Sequence, residues 1–204
     1  MAATPVIRLF GFRPTRPAFD NVVRDRMVPE ICAQPGVVDV YAGRRGPDEL
    51  GPRLLVSVWT SREAMELVLA GSARPGGLQP ESLDGIADGT VEVFPAVISY
   101  RGDRVGQVPG IIRVFRGSVV PGQLARYVKE TRAGVAADVA AGHGPAALYL
   151  AAGAAVDTFV TVSVWSSWAA IELATGGDTR RPTATRRPEL IASYDATHYE
   201  AIDL

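Results

Sequence analysis

The sequence predicts an α+β fold built twice in tandem. Three observations predict it. Residues 56–71 read VSVWTSREAMELVLAG and residues 162–177 read VSVWSSWAAIELATGG, identical at nine of sixteen positions. The tryptophans in these segments, Trp59 and Trp165, stand 106 residues apart in a chain of 204, half its length. The runs that open the halves also match: Val6-Ile7-Arg8-Leu9-Phe10 and Ile111-Ile112-Arg113-Val114-Phe115, offset by 105. Half the chain is about one ordinary domain.

Each opening run is rich in strand-forming residues. It puts an arginine and a phenylalanine two positions apart, hence on one face of a strand. Pro14 and Pro17 end the first of these strands, and Pro17 suits the first turn of a helix. The helix expected over Pro17 to Ala33 carries Phe19, Val22, Val23, Met27 and Ile31 at three- and four-residue spacing, one apolar stripe. Its counterpart carries Leu124, Tyr127, Val128, Val135 and Val139. Pro29 and Gly134 occupy matching places, so a kink or interruption is expected in both helices. Pro35-Gly36 and Gly142-His143-Gly144-Pro145 end them. Hairpins follow, Val37 to Gly43 with Arg53 to Trp59, then Ala146 to Ala151 with Val156 to Trp165.

A helix begins after each tryptophan. Thr60 with Glu63 fits a capping box, and Ser166 offers the same cap without the reciprocal carboxylate. Glycines stop these helices at Gly71 and Gly176-Gly177. Last strands are expected over Thr90 to Tyr100 and Thr197 to Ile202. Each half then reads β-α-β-β-α-β, the ferredoxin-like arrangement. The expected division is a first repeat over 1–101, a linker over 102–109 and a second repeat over 110–204.

Composition narrows the function classes. Apolar residues make up 47% and charged residues 21%, and the net charge of −1 gives no field that would draw nucleic acid or an anionic membrane. The start MAATPVIRLF has no basic segment leading into a long apolar run. No stretch approaches the roughly 18 apolar residues of a membrane span. A cytoplasmic protein without membrane or nucleic-acid partners is expected. The single cysteine, Cys32, forbids an internal disulfide and is read as a small core residue on the helical stripe. With two histidines and no cysteine cluster, no metal-ligand spacing can be read. No glycine-rich phosphate loop follows a strand, and neither GxSxG nor HExxH occurs.

The segment Val58-Trp59-Thr60-Ser61-Arg62-Glu63-Ala64, repeated as Val164-Trp165-Ser166-Ser167-Trp168-Ala169-Ala170, resembles the antibiotic-biosynthesis-monooxygenase-like group of the dimeric α/β-barrel superfamily. The resemblance covers both halves. It implies that the two ferredoxin-like repeats pack as an intramolecular pseudo-dimeric α/β barrel, with further pairing of whole chains left open. A four-stranded sheet with helices on one face leaves its other face to be buried by a second sheet. The group includes haem-degrading monooxygenases, cofactor-free oxygenases acting on aromatic polyketides and members without known activity. Haem-degrading relatives use an asparagine on the first strand, the tryptophan that ends the third and a histidine on the following helical segment. Here only Trp59 and Trp165 match. Arg8 and Arg113 stand in place of the asparagine, and neither half has a histidine between its tryptophan and its last strand.

The candidate substrate-binding residues are therefore Arg8, Phe10 and Trp59 in the first repeat and Arg113, Phe115 and Trp165 in the second. Each tryptophan either fills the gap between strand end and helix, its indole N–H bonded to a carbonyl, or forms a flat wall for an aromatic ligand. Each arginine either pairs with an acid such as Glu92 or Glu200, or anchors a carboxylate, enolate or phenolate. His198 and Arg113 are the candidate catalytic residues, His198 as a base of suitable type near neutral pH. His143, between glycines, reads as a loop residue. Arg180, Arg181, Arg186 and Arg187 crowd a loop that is either solvated or a lid. The second repeat, with Trp168 and both histidines, is the favoured location of a site. Two function classes follow. One is a cofactor-independent monooxygenase or related enzyme acting on a small aromatic or hydrophobic molecule. The other is a non-catalytic binder of a hydrophobic ligand or of haem, with His198 as axial ligand, or a barrel module without activity.

Overall fold

The computed structural model describes residues 4–71, 84–102, 109–182 and 187–202. They form two compact units, Met1–Pro95 with Tyr199–Leu204, and Ala96–His198. The units differ from the sequence repeats because the last strand of each repeat is shared. In the first unit β1 (Val6–Pro14), β2 (Val37–Arg44), β3 (Arg53–Trp59) and the first part of β4 (Ile86–Arg101) pair antiparallel in the order β2-β3-β1-β4. In the second unit β5 (Ile111–Val119), β6 (Ala147–Ala152), β7 (Thr158–Trp165) and β8 (Ile191–Ala201) take the matching order β6-β7-β5-β8. This is the ferredoxin-like order, the last strand beside the first. Beyond Pro95, β4 continues as a strand of the second unit and pairs with β6 from Ala96 to Arg101. The end of β8 pairs with β2 at Gly43 and Arg44 in the first unit. Both β2 and β6, which a lone repeat would leave as open edges, are thereby paired at least in part. The last strands are longer than the sequence predicts for this reason: they serve two sheets. Most of the expected linker, residues 103–108, lies outside the described residues.

The first helical segment has three parts, α1 (Phe19–Val22), a π-helical stretch (Val23–Met27) and α2 (Val28–Cys32). Pro29 has no N–H to return to the preceding turn. The backbone widens just before it, and the Val28 N–H reaches the Val23 carbonyl five residues back. The predicted interruption is present here. Its counterpart is not: α4 (Leu124–Ala140) is continuous through Gly134. Glycine costs about 1 kcal/mol in a helix but keeps its N–H, so it weakens without breaking. The later helices are α3 (Arg62–Gly71) and α5 (Trp168–Thr175). Their caps fall one residue beyond the predicted ones. Ser61 Oγ accepts from the Ala64 N–H at 3.1 Å, and Ser167 Oγ from the Ala170 N–H at 3.2 Å. The Thr60 N–H is already engaged by the Gly36 carbonyl. Gly36 is needed there, because a Cβ would meet that of Ala64 at 2.7 Å and its φ is +85°.

The core of the first unit joins Phe10 and Phe12 of β1, Leu55 and Trp59 of β3, and Phe19, Val23, Met27 and Ile31 of the helical segment. The second unit repeats this with Phe115, Phe159, Leu148, Tyr127 and Val135. The opposite strand faces are equally dry, with Ile7, Val56, Val58, Ile112 and Val162 fully buried. Cys32, read as a core residue, is exposed at the end of α2 instead, one position past the buried Ile31. Among the described residues no helix is long and apolar enough to cross a membrane.

One buried charge holds the β2–β3 loop to the helix, and sequence periodicity gave no hint of it. Arg53 bonds Asp20 through Nε at 2.6 Å and Nη2 at 3.4 Å, and its Nη1 and Nη2 reach the carbonyls of Gly51 and Glu49. The side chain of Arg53 is 3% exposed. Asp20→Ala therefore strands a buried guanidinium and is expected to destabilise the fold by about 3 kcal/mol. Glu30→Ala, which breaks the exposed pair with Arg26, should stay within about 0.5 kcal/mol. Chemical denaturation of the two variants checks the contrast.

Candidate functional site

The alternation of β1 and β3 turns Arg8, Ser57 and Trp59 toward the helices. Arg8 stands in register with Ser57, and Trp59 lies two residues further along β3. The guanidinium of Arg8 lies 5.6 Å from the Phe10 ring centroid, and Phe10 in turn stacks on Phe12 at 5.0 Å. The Trp59 Nε1–H donates to Ser57 Oγ at 2.9 Å. The expected carbonyl partner is thus replaced by the hydroxyl two residues back on the same face, and both polar groups are satisfied locally.

A cleft of about 270 Å³ opens beside these three residues. Ile31 and Gln34 from the end of the first helical segment and Val68 and Leu69 from α3 complete its lining. The enclosed part takes about one water-sized sphere. Gln34 is held in place by its own bond to the Glu30 carbonyl at 2.9 Å. The wall is therefore one cation, one hydroxyl, one amide, one indole and three aliphatic side chains. Phe10 lies behind Arg8 in the core rather than on this wall.

The second unit places the matching residues on the matching face. Trp165 Nε1–H donates to Ser163 Oγ at 2.9 Å, and Trp165 packs with Ile111 and with Ile171 of α5. Arg113 lies over the Phe115 ring at 4.8 Å and is 2% exposed. Neither acid proposed as a partner reaches it. Its Nη2 donates to the Arg181 carbonyl at 2.6 Å, and its Nε has no hydrogen-bond partner among the described residues. Glu200 pairs with Arg44 at 3.7 Å. Burial pulls the Arg113 guanidinium down to about 10, against weaker opposing fields from Tyr127, Asp178 and Tyr194. Arg181 reaches Arg113 through its backbone carbonyl, while the side chains of Arg180 and Arg181 stay exposed. Arg180 and Arg181 pair with Asp178 at 3.7 and 3.4 Å, and Arg187 with Glu189 at 2.9 Å. Arg186 lies outside the described residues, as does the first-repeat segment 72–83.

His198, on β8, lies against the half-exposed Trp168, ring centroids 5.0 Å apart. It does not line the first-unit cleft. His143 is exposed in its loop. Among the described residues no group of three or more His, Cys, Asp or Glu side chains is gathered as a metal site requires. Ser57 had a signal in the sequence, the repeated Ser-x-Trp. Gln34 had none, because it reaches the cleft only through the angle at which the helix ends.

No family model matches the sequence, nor does any curated protein. Solved structures do. A candidate monooxygenase of Fusobacterium nucleatum superposes with a TM-score of 0.74 at 12% identity, over 99% of this chain and 94% of that one. A candidate monooxygenase of Lactobacillus acidophilus gives 0.70 at 11%, over 98% and 94%. An anthrone oxidase-like protein gives 0.59 at 16%, over 97% and 91%. The chain thus shares the fold of these solved structures, with two ferredoxin-like repeats in one polypeptide.

Two stability measurements follow from this geometry. Ser163→Ala leaves a fully buried indole N–H unbonded and is expected to cost about 1–3 kcal/mol, whereas Ser57→Ala should cost under about 1 kcal/mol because the cleft admits a water as substitute. Arg113→Met should be neutral or stabilising by up to about 3 kcal/mol at pH 7. The sign follows from the depressed folded-state value. The burial penalty is fully present below about pH 10 and is relieved only as pH rises from there toward the ordinary arginine range. Denaturation midpoints of the three variants test both statements.

Proposed function

We propose that the protein is a cofactor-independent oxygenase of small hydroxyaromatic compounds, with its site at the Arg8–Ser57–Trp59 cleft. The observation that carries this reading is the composition of that wall: a desolvated cation set beside a flat indole in otherwise aliphatic surroundings. The monooxygenase-like fold agrees with it, and the resemblance of the Val-Trp-x-Ser segment supports the choice of reaction. The reading favours the first repeat over the second, because the cleft lined by Arg8, Ser57 and Trp59 supports it.

Arginine is suited to the oxygen of a phenolate or enolate, and its charge lowers the pKa of a bound phenol. Trp59 would lie along the ring. The ionised substrate is itself the electron donor. An activated CH₂ loses a proton to give the enolate, the enolate carbon bonds dioxygen, and the resulting hydroperoxide loses water to leave a carbonyl. One oxygen atom ends in the product and the other in water, with no outside reductant. The part of the protein is to hold the anion, exclude water and stabilise charge as it forms. The cleft lining contains no carboxylate and no histidine, so proton release passes to solvent. The enclosed volume of about 10 Å³ lies far below the roughly 300–1,000 Å³ of ligand pockets, so ring entry requires Val68, Leu69 and Gln34 to give way.

Haem does not fit this cleft. Its lining offers no axial donor, and His198 is not part of it. A second reading, a binder without turnover, is favoured by that same absence of a base.

Oxygen uptake with anthrone and naphthol probes tests the proposal, with quenching of tryptophan fluorescence as the binding readout. Turnover should rise with pH through the pKa of the bound probe rather than near 6.5. Arg8→Gln should lower kcat/KM by about 100-fold or more. Binding without uptake would establish the second reading, and neither binding nor uptake would overturn both.

A further inference from the structure

The cleft beside Arg8 is nearly shut, so part of its wall must move before a ring can enter. The wall divides into groups that are locked and groups that are not. Arg8, Ser57 and Trp59 are buried on paired strands, and Trp59 is bonded to Ser57 at 2.9 Å. Ile31 is buried in the first core. None of these four can swing aside without disturbing close-packed neighbours. Val68 and Leu69 of α3 are half-buried and pack against the same core.

Gln34 differs from all six. It is half-buried and lies outside the core cluster. Its backbone is pinned: its N–H donates to the Ile31 carbonyl at 3.0 Å, and its carbonyl accepts from the Val37 N–H at 3.3 Å. Pro35 follows and ends the helix. Its side chain has one hydrogen bond among the described residues, from Nε2 to the Glu30 carbonyl at 2.9 Å. That carbonyl belongs to the last turn of α2, where carbonyls lack a partner in their own helix, so water can take the place of the amide. A fixed backbone, a long rotatable side chain and one exchangeable bond are the parts of a latch. A single net hydrogen bond keeps the released form at roughly a tenth of the bonded one. The latch is therefore weak enough to open often and strong enough to keep the cleft closed most of the time.

We propose that Gln34 gates the Arg8 cleft and sets the size of the ring it admits. The bonded rotamer keeps bulk water from Arg8 and Trp59, and the released rotamer opens the way past the end of α2. Such a gate serves the chemistry, because the anion is better stabilised once water is shut out. In naming a ring as the passenger, the inference rests on the function proposed for the cleft. The gate itself rests on the geometry of Gln34.

Acrylamide reads the gate without any substrate. In a Trp165→Phe/Trp168→Phe chain only Trp59 emits. Gln34→Ala should raise the acrylamide quenching constant of Trp59 about threefold or more. Gln34→Met keeps the length of the side chain and loses only the bond, and should raise the constant by a smaller factor. Glu30→Ala leaves the carbonyl in place and should change nothing. Stopped-flow mixing with 1-naphthol should show association about three- to tenfold faster in Gln34→Ala than in the parent chain. Quenching that stays at the parent level in both Gln34 variants overturns the inference. So does a rise that comes only with a matching fall in Tm, because that is the mark of a helix cap. If quenching rises at unchanged Tm while 1-naphthol binds no variant, the gate stands and the function proposed for the cleft falls. If 1-naphthol binds and quenching does not move, the reverse holds. Should the double phenylalanine background fail to fold, 5-fluorotryptophan in the otherwise unaltered chain gives the same reading, through broadening of the Trp59 fluorine resonance by dissolved oxygen.

Discussion

The central strands have no wet face. Every residue of Arg53–Trp59 is buried, and β1, β5 and β7 are nearly so. A strand in that position can accept apolar side chains freely, but each polar one must be satisfied inside the protein or left at a cost. Most of what distinguishes this molecule follows from how its few buried polar strand residues meet that demand. Arg53 meets it with a carboxylate and backbone carbonyls. Ser57 and Ser163 meet it by accepting from the tryptophans two residues on. Arg113 meets it in part, through the Arg181 carbonyl, and Thr161 places its hydroxyl beside that of Tyr127.

The two repeats solve the same geometric problem with different chemistry. In both, a first-strand arginine lies over the phenylalanine two residues along, and a tryptophan is tied to a serine. Around Arg8 the neighbouring helices end in a way that leaves a cleft. Around Arg113 the loop after α5 folds its backbone onto the guanidinium, and the helix contributes a tyrosine and a threonine where the first repeat has a valine and an exposed arginine.

Part of the site was legible in the sequence. The matching Arg-x-Phe runs and the Ser-x-Trp pairs put their side chains on one strand face by simple alternation, and the structure keeps them there. Gln34, Val68 and Leu69 were not legible as wall residues, because which part of a helix meets which part of a sheet depends on packing angles that periodicity does not encode. Nor was the partner of Arg113. The sequence suggested an acid, but charge separation along the chain says nothing of three-dimensional reach, and the Arg113 guanidinium donates to the Arg181 carbonyl.

By itself, the sequence determined that there are two β-α-β-β-α-β repeats, which residues face the helices, and that Pro29 interrupts its helix. These follow from local rules: strand alternation, the helical period and a missing N–H. Only the tertiary structure decided that Gly134 leaves its helix whole, that the last strand of each repeat pairs on both sides, that Cys32 is exposed, and that Arg8 lines a cleft while Arg113 bonds the Arg181 carbonyl. Each of those outcomes is set by what packs against a residue from a distant part of the chain, and burial of that kind is a property of the assembled fold.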